Sequence, residues 1–147
     1  MNTYTITLTA GEALFLWCLR NGKTIAQLAR AIGQPRQRTS DILRGYAIPT
    51  DVCKAAIDRE TKEYVRASFW SDYARDSIKT LATPGEHLIT LVRRKGITIA
   101  EFCKRSDTDT TRISRIIHGG IPTPTKREQA AIAKQFKELR GKWNAPK

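Results

Sequence analysis

Arginine and glutamine are concentrated at residues 34–38, Gln-Pro-Arg-Gln-Arg, with Asp41 and Arg44 following. Arginine bonds bidentately to guanine, and glutamine to adenine, along the base edges of a major groove. Gln34, Arg36, Gln37, Arg38, Asp41 and Arg44 are therefore candidate nucleic-acid contacts. A second cluster, Thr108, Thr110, Thr111, Arg112 and Arg115, offers hydroxyls to phosphates and methyls to thymine. Asp109, inside that cluster, either accepts from cytosine or caps a helix, and capping is the simpler role. The competing reading of both clusters is a charged, solvated face, which any surface helix presents.

Other chemistry has no comparable support. There is no Gly-rich phosphate loop, no supported Cys/His or Ser/His arrangement and no paired-carboxylate site. No catalytic residue is assigned, and the chain is not expected to be an enzyme. Cys18, Cys53 and Cys103 are odd in number, form no CxxC pair and sit among apolar residues. They read as buried thiols acting as small hydrophobes. His87 and His118 have no metal-ligand spacing to any cysteine, so neither a metal nor another cofactor is expected.

The elements that must position the two clusters form a repeat. Residues 24–45, TIAQLARAIGQPRQRTSDILRG, recur as residues 98–119, TIAEFCKRSDTDTTRISRIIHG, at a constant offset of 74. The match extends upstream, where Thr9, Gly11, Glu12, Leu14, Arg20 and Gly22 recur as Thr83, Gly85, Glu86, Leu88, Arg94 and Gly96. One offset held without a gap over this span means two copies of one unit. Within the unit, Ile25, Leu28, Ala29 and Ile32 lie at helical spacing on one face. Thr24 is a good N-cap, and Gly33 stops the helix in a left-handed conformation. A second short helix, about residues 35–44, turns Thr39, Ile42 and Leu43 inward, with Pro35 suited to its first turn. Two short helices joined by a tight turn read as a helix-turn-helix. In the second copy Ser106-Asp107 replaces Ile32-Gly33 at that turn, a less typical pair.

Both copies resemble the lambda-repressor-like (Xre-type) helix-turn-helix family. In the first copy the resemblance rests on Thr24, Leu28, Ala29, Gly33, Ser40, Ile42 and Gly45. In the second it rests on Thr98, Phe102, Arg112, Ile113, Ser114, Arg115, Ile116 and Gly119, with Pro122 soon after. It covers the first to the fourth helix of each copy. It implies an all-α fold of two compact DNA-binding units, and a second short helix whose N-terminal end contacts bases. It further implies a sequence-specific regulator of double-stranded DNA, expected to be a repressor from a phage or mobile element, acting on a pseudo-palindromic operator. The runner-up is a protein-binding helix-turn-helix module, an antitoxin or an inhibitor of a nucleic-acid enzyme.

Charge fits a polyanionic partner: the chain carries +12. Residues 1–74 hold 10 Lys+Arg and 7 Asp+Glu, whereas residues 75–147 hold 16 and 7. The second half is thus the stronger expected phosphate binder. Three parts are expected: a first unit at 1–62, a connecting helix at 63–82, and a second unit with a basic tail at 83–147. The connecting helix rests on an apolar stripe of Trp70, Tyr73, Ala74, Ser77, Ile78 and Leu81, with Phe69 beside it. It either packs the halves together or pairs two chains in a homodimer through Phe69, Trp70, Tyr73 and Ile78. Residues 1–9 read as a short strand or an extended arm. The first helices are expected at about 13–21 and 86–95, with Thr83-Pro84-Gly85 as a break. A fourth helix near residue 50 turns Val52, Ala56 and Ile57 inward, and its counterpart runs over about 125–139. The tail 140–147 reads as a flexible terminus. No apolar run approaches the ~20 residues of a membrane span, and no signal peptide is read at the N-terminus, so a cytoplasmic protein is expected.

Overall fold

Threonine opens most of the helices. In the computed structural model, which describes residues 2–70 and 78–143, threonine side chains cap six of the eight described α-helices. A threonine hydroxyl accepts from a first-turn N–H that has no partner within the helix. After strand β1 (Tyr4–Leu8) come α1 (Ala10–Arg20), α2 (Ile25–Ile32), α3 (Arg36–Arg44) and α4 (Asp51–Glu60). Strand β2 (Ile78–Ala82) then precedes α5 (Pro84–Arg94), α6 (Ile99–Ser106), α7 (Thr110–Ile117) and α8 (Lys126–Gln135). The chain is thus mostly helical, with one small sheet in which β1 pairs with β2.

The elements repeat as the residues do. The offset of 74 relates β1 to β2 and the caps Thr9 and Thr24 to Thr83 and Thr98. After α3 and α7 the chain makes the same turn: Tyr46 N–H donates to the Asp41 carbonyl at 2.8 Å, and Gly120 N–H to the Arg115 carbonyl at 2.8 Å. From the buried Pro49 and Pro124 onward the offset becomes 75, so Thr50 matches Thr125. The second copy therefore holds one extra residue between Ile121 and Pro124.

Two compact units divide the chain: a first unit, Thr7–Thr80, and a second unit of Met1–Ile6 with Leu81–Lys147. In the first unit, α1 and α2 pack on α3, and α4 packs on α2. Leu14, Leu28, Ile42, Ile57 and Val65 are fully buried there. In the second, α5 and α6 pack on α7, and α8 on α6, burying Leu88, Phe102, Ile113, Ile132 and Leu139. The Phe102 and Phe136 rings stack at 5.7 Å. Met1–Ile6 joins the second unit through Tyr4, whose hydroxyl bonds His87 Nδ1 at 2.7 Å, and through Asn2, whose side-chain amide donates to the Lys142 carbonyl.

One glycine per unit is dictated by close approach. A Cβ on Gly11 would stand 2.6 Å from the Ile42 carbonyl oxygen, and one on Gly85 would meet the matching carbonyl of Ile116. Helix α1 crosses α3, and α5 crosses α7, backbone against backbone, which only glycine permits.

Several expectations are corrected. The all-α expectation holds broadly, with the β1–β2 pair added to it, but 63–82 is not one connecting helix. Ala67–Trp70 is a 3-10 turn, and Ile78–Ala82 is a strand whose exposure alternates along its length. The apolar stripe fits helical spacing, whereas the β-branched Ile78 and Thr80 repeat the period-two pattern of β1. Phe69, Trp70 and Ile78 are half-buried and Leu81 is exposed, while Tyr73, Ala74 and Ser77 lie outside the described residues. Thr83-Pro84-Gly85 does not break a helix but begins one: Thr83 caps α5 and Pro84 opens it. Helix α1 likewise starts three residues early, because Thr9 and Glu12 form a capping box. Pro35 is the N-cap of α3 rather than part of its first turn. Val52 is 82% exposed, and Cys53 takes the inward position. Helix α8 stops at Gln135, where Phe136 turns to extended backbone to reach Phe102, and Leu139 sits in a separate 3-10 turn. Trp143, within the 140–147 segment expected to be flexible, is buried, and residues 144–147 lie outside the described residues.

Candidate nucleic-acid interface

The face of α3 is set by what it buries. Thr39, Ile42 and Leu43 point inward, and the Thr39 hydroxyl donates to the Pro35 carbonyl at 3.0 Å. That leaves Arg36, Gln37, Arg38 and Arg44 exposed, with Gln34 and Asp41 half-buried at the edge. Gln37 donates to Asp41 Oδ1 at 3.2 Å, and Arg38 to the Ile48 carbonyl at 3.3 Å. No side chain caps the start of α3. Its first-turn N–H groups and positive end thus lie beside two exposed guanidinium groups, an arrangement suited to anions. Helix α2 fixes the entry to α3. Its capping box joins Thr24 and Gln27, and Gly33 ends it with φ of +68°, left-handed as anticipated.

Helix α7 buries Ile113, Ile116 and Ile117 and exposes Thr110, Thr111, Arg112 and Arg115. The details differ from α3 at every step. Asp107 stands in the left-handed position of Gly33, with φ of +52°. The Thr108 hydroxyl shares a 2.7 Å hydrogen bond with Ser106. Asp109 takes the capping role, its Oδ2 accepting from Arg112 N–H at 3.0 Å. The Arg112 guanidinium donates to both carboxylate oxygens of Glu128, from Nε at 2.7 Å and Nη2 at 2.8 Å. This fork-to-fork pairing holds the Glu128 carboxyl down at about 2, against burial that raises it and with help from the Thr125 N–H. A cleft of about 410 Å³ lies in front of this pair, lined by Asp107, Asp109, Arg127 and Thr125 among others. Arg127 reaches Asp107 at 3.5 Å.

Glu128 did not stand out in the sequence as a partner for Arg112. The available signal was the Thr125-x-x-Glu128 capping box, in which Thr125 N–H donates to Glu128 Oε1 at 2.9 Å. That signal announces a helix start and says nothing of an arginine 16 residues away. His118 is exposed at the end of α7, its Nδ1 2.8 Å from the Ser114 carbonyl. The three cysteines are buried, as their apolar neighbours suggested, and burial pushes the Cys18 thiol up to about 11. Among the described residues no helix is long and apolar enough to cross a membrane, and no group of three or more His, Cys, Asp or Glu is placed to hold a metal. Comparison with protein-family models, curated proteins and solved structures finds no match.

Proposed function

We propose that the chain is a sequence-specific double-stranded DNA-binding regulator built from two lambda-repressor-like helix-turn-helix units, α2–α3 and α6–α7. One observation carries this reading: Arg36, Gln37 and Arg38 are exposed together at the uncapped N-terminal end of α3. Arginine forks there address guanine, glutamine amides address adenine, and the uncapped helix end holds a phosphate. The net charge of +12 supplies the sequence-independent part of the affinity. Acting as a repressor would require only that the occupied site exclude other proteins.

The test is selection from a random duplex pool with the unaltered chain and with the double variant Arg36→Ala/Arg38→Ala. The unaltered chain should enrich a motif. The variant should lose specific affinity far more than non-specific affinity, by about 1–3 kcal/mol for each bidentate contact removed. Equal losses on both kinds of DNA would remove Arg36 and Arg38 as base readers.

A second reading, a protein-binding module, is favoured by Tyr46, Ile48 and Val52, which are 75%, 60% and 82% exposed in the first unit. Gly120 and Arg127 stand at the matching positions of Tyr46 and Val52 in the second, so the fold does not require those apolar groups. Salt separates the two readings: DNA affinity falls steeply as salt rises, whereas an apolar protein contact persists.

A further inference from the structure

We infer that the two units have different roles on DNA: α3 reads bases, whereas Glu128 withdraws α7 from base reading and leaves the second unit to hold phosphates. This inference rests on the DNA-binding reading above. The repeat is its internal control, because positions that match in the two copies share the demands of the fold. What differs between them is what function is free to change.

The differences at the N-terminal ends of α3 and α7 point one way, although Arg115 stands exposed where the first copy has Asp41. The start of α3 has no side-chain cap, but Asp109 caps α7 and sets a carboxylate at the end that would otherwise attract a phosphate. Arg38 reaches only the Ile48 carbonyl, but its counterpart Arg112 is held bidentately by Glu128. The first unit has Cys53 where the second has Glu128, and a buried thiol offers Arg38 no equivalent fork. Gln34, Arg36 and Gln37 are replaced by Thr108, Thr110 and Thr111, and the Thr108 hydroxyl is engaged by Ser106. Residues 33–45 carry a net +2, and residues 107–119 carry zero. Yet residues 75–147 as a whole carry +9. The excess lies elsewhere, at the exposed Lys104, Lys126, Lys134 and Lys137 among others, where it can meet phosphates without reading sequence.

The experiment compares four full-length proteins in duplex selection and salt titration: the unaltered chain, Arg36→Ala/Arg38→Ala, Thr110→Ala/Thr111→Ala, and Glu128→Gln. Glutamine at 128 keeps the capping-box acceptor while removing the charge that holds Arg112. The Arg36/Arg38 variant should lose at least about tenfold in specific affinity. The Thr110/Thr111 variant should enrich the same motif as the unaltered chain. Glu128→Gln should bind any duplex more tightly and steepen the salt slope by about one phosphate contact. A motif altered in the Thr110/Thr111 variant overturns the inference, as does an unchanged slope in Glu128→Gln, while either leaves the DNA reading standing. No enrichment by the unaltered chain overturns both.

Discussion

Arg38 and Arg112 occupy one position of the repeat, yet only Arg112 meets a carboxylate, because Glu128 replaces Cys53 in its copy. The pair gives a prediction about pH. Hydrogen bonds from Arg112 depress the Glu128 carboxyl from the ordinary 4.5 to about 2 in the folded chain. A carboxyl depressed by folding contributes stability that is fully present above its unfolded value and is lost as pH falls through the folded one. The stability difference between the unaltered chain and Glu128→Gln, from urea midpoints, should therefore be constant above about pH 5 and shrink steadily toward pH 3. A difference that does not change across that range would mean that the pair does not govern Glu128. At this scale the arginines were legible as candidates by type and spacing, whereas the partner of Arg112 was not. Residue type tells what a side chain can bond, and only the tertiary placement of α8, packed on α6 with Glu128 facing Arg112, tells what it does bond.

Elements were the most legible scale wherever their signals were local. The Thr24 cap, the left-handed Gly33 and the apolar faces of α2, α3, α6 and α7 all follow from residues within a turn of one another, whereas the equally local caps at Thr9 and Thr83 lie outside the expected helices. The same locality misled at 78–82, where apolar residues fit a helical stripe and the strand pairing that overrides it involves residues some 70 positions earlier. The crossings of α1 with α3 and of α5 with α7 leave no local pattern either, although Gly11 and Gly85 recur at the offset of the repeat. Gly11→Ala and Gly85→Ala should each destabilise the chain by about 1–3 kcal/mol, the usual range for forcing a methyl into a packed contact. Chemical denaturation reads this directly. An unchanged midpoint in both variants would show that the helices cross with room to spare.

For the whole molecule, the assignment of chain to unit departs from chain order. Met1–Ile6 belongs with Leu81–Lys147, held by the Tyr4–His87 hydrogen bond, by Lys142 Nζ 4.6 Å from the Tyr4 ring centre, and by the Asn2 amide on the Lys142 carbonyl, while Ile6 is itself buried. Deleting residues 2–6 should therefore lower hydrogen-exchange protection in α5 and in residues 136–143. Burial of one isoleucine alone is worth about 1.5–3 kcal/mol. Loss of protection confined to α1–α4 would contradict this assignment. The burial of Trp143 follows the same logic, since the polarity of residues 140–143 reads as flexible while the aromatic ring among them is buried. The amino-acid sequence by itself determined the twofold repeat, the placement and faces of most helices, the exposed Arg/Gln cluster and the positive charge. All of these depend on residue type and on spacing within a turn or a repeat. The tertiary structure alone decided that Arg112 is paired, that two glycines lie under a helix crossing, that 78–82 is a strand and that the N-terminal segment joins the second unit. Each of these depends on contacts between residues far apart in the chain, whose partners leave no local pattern.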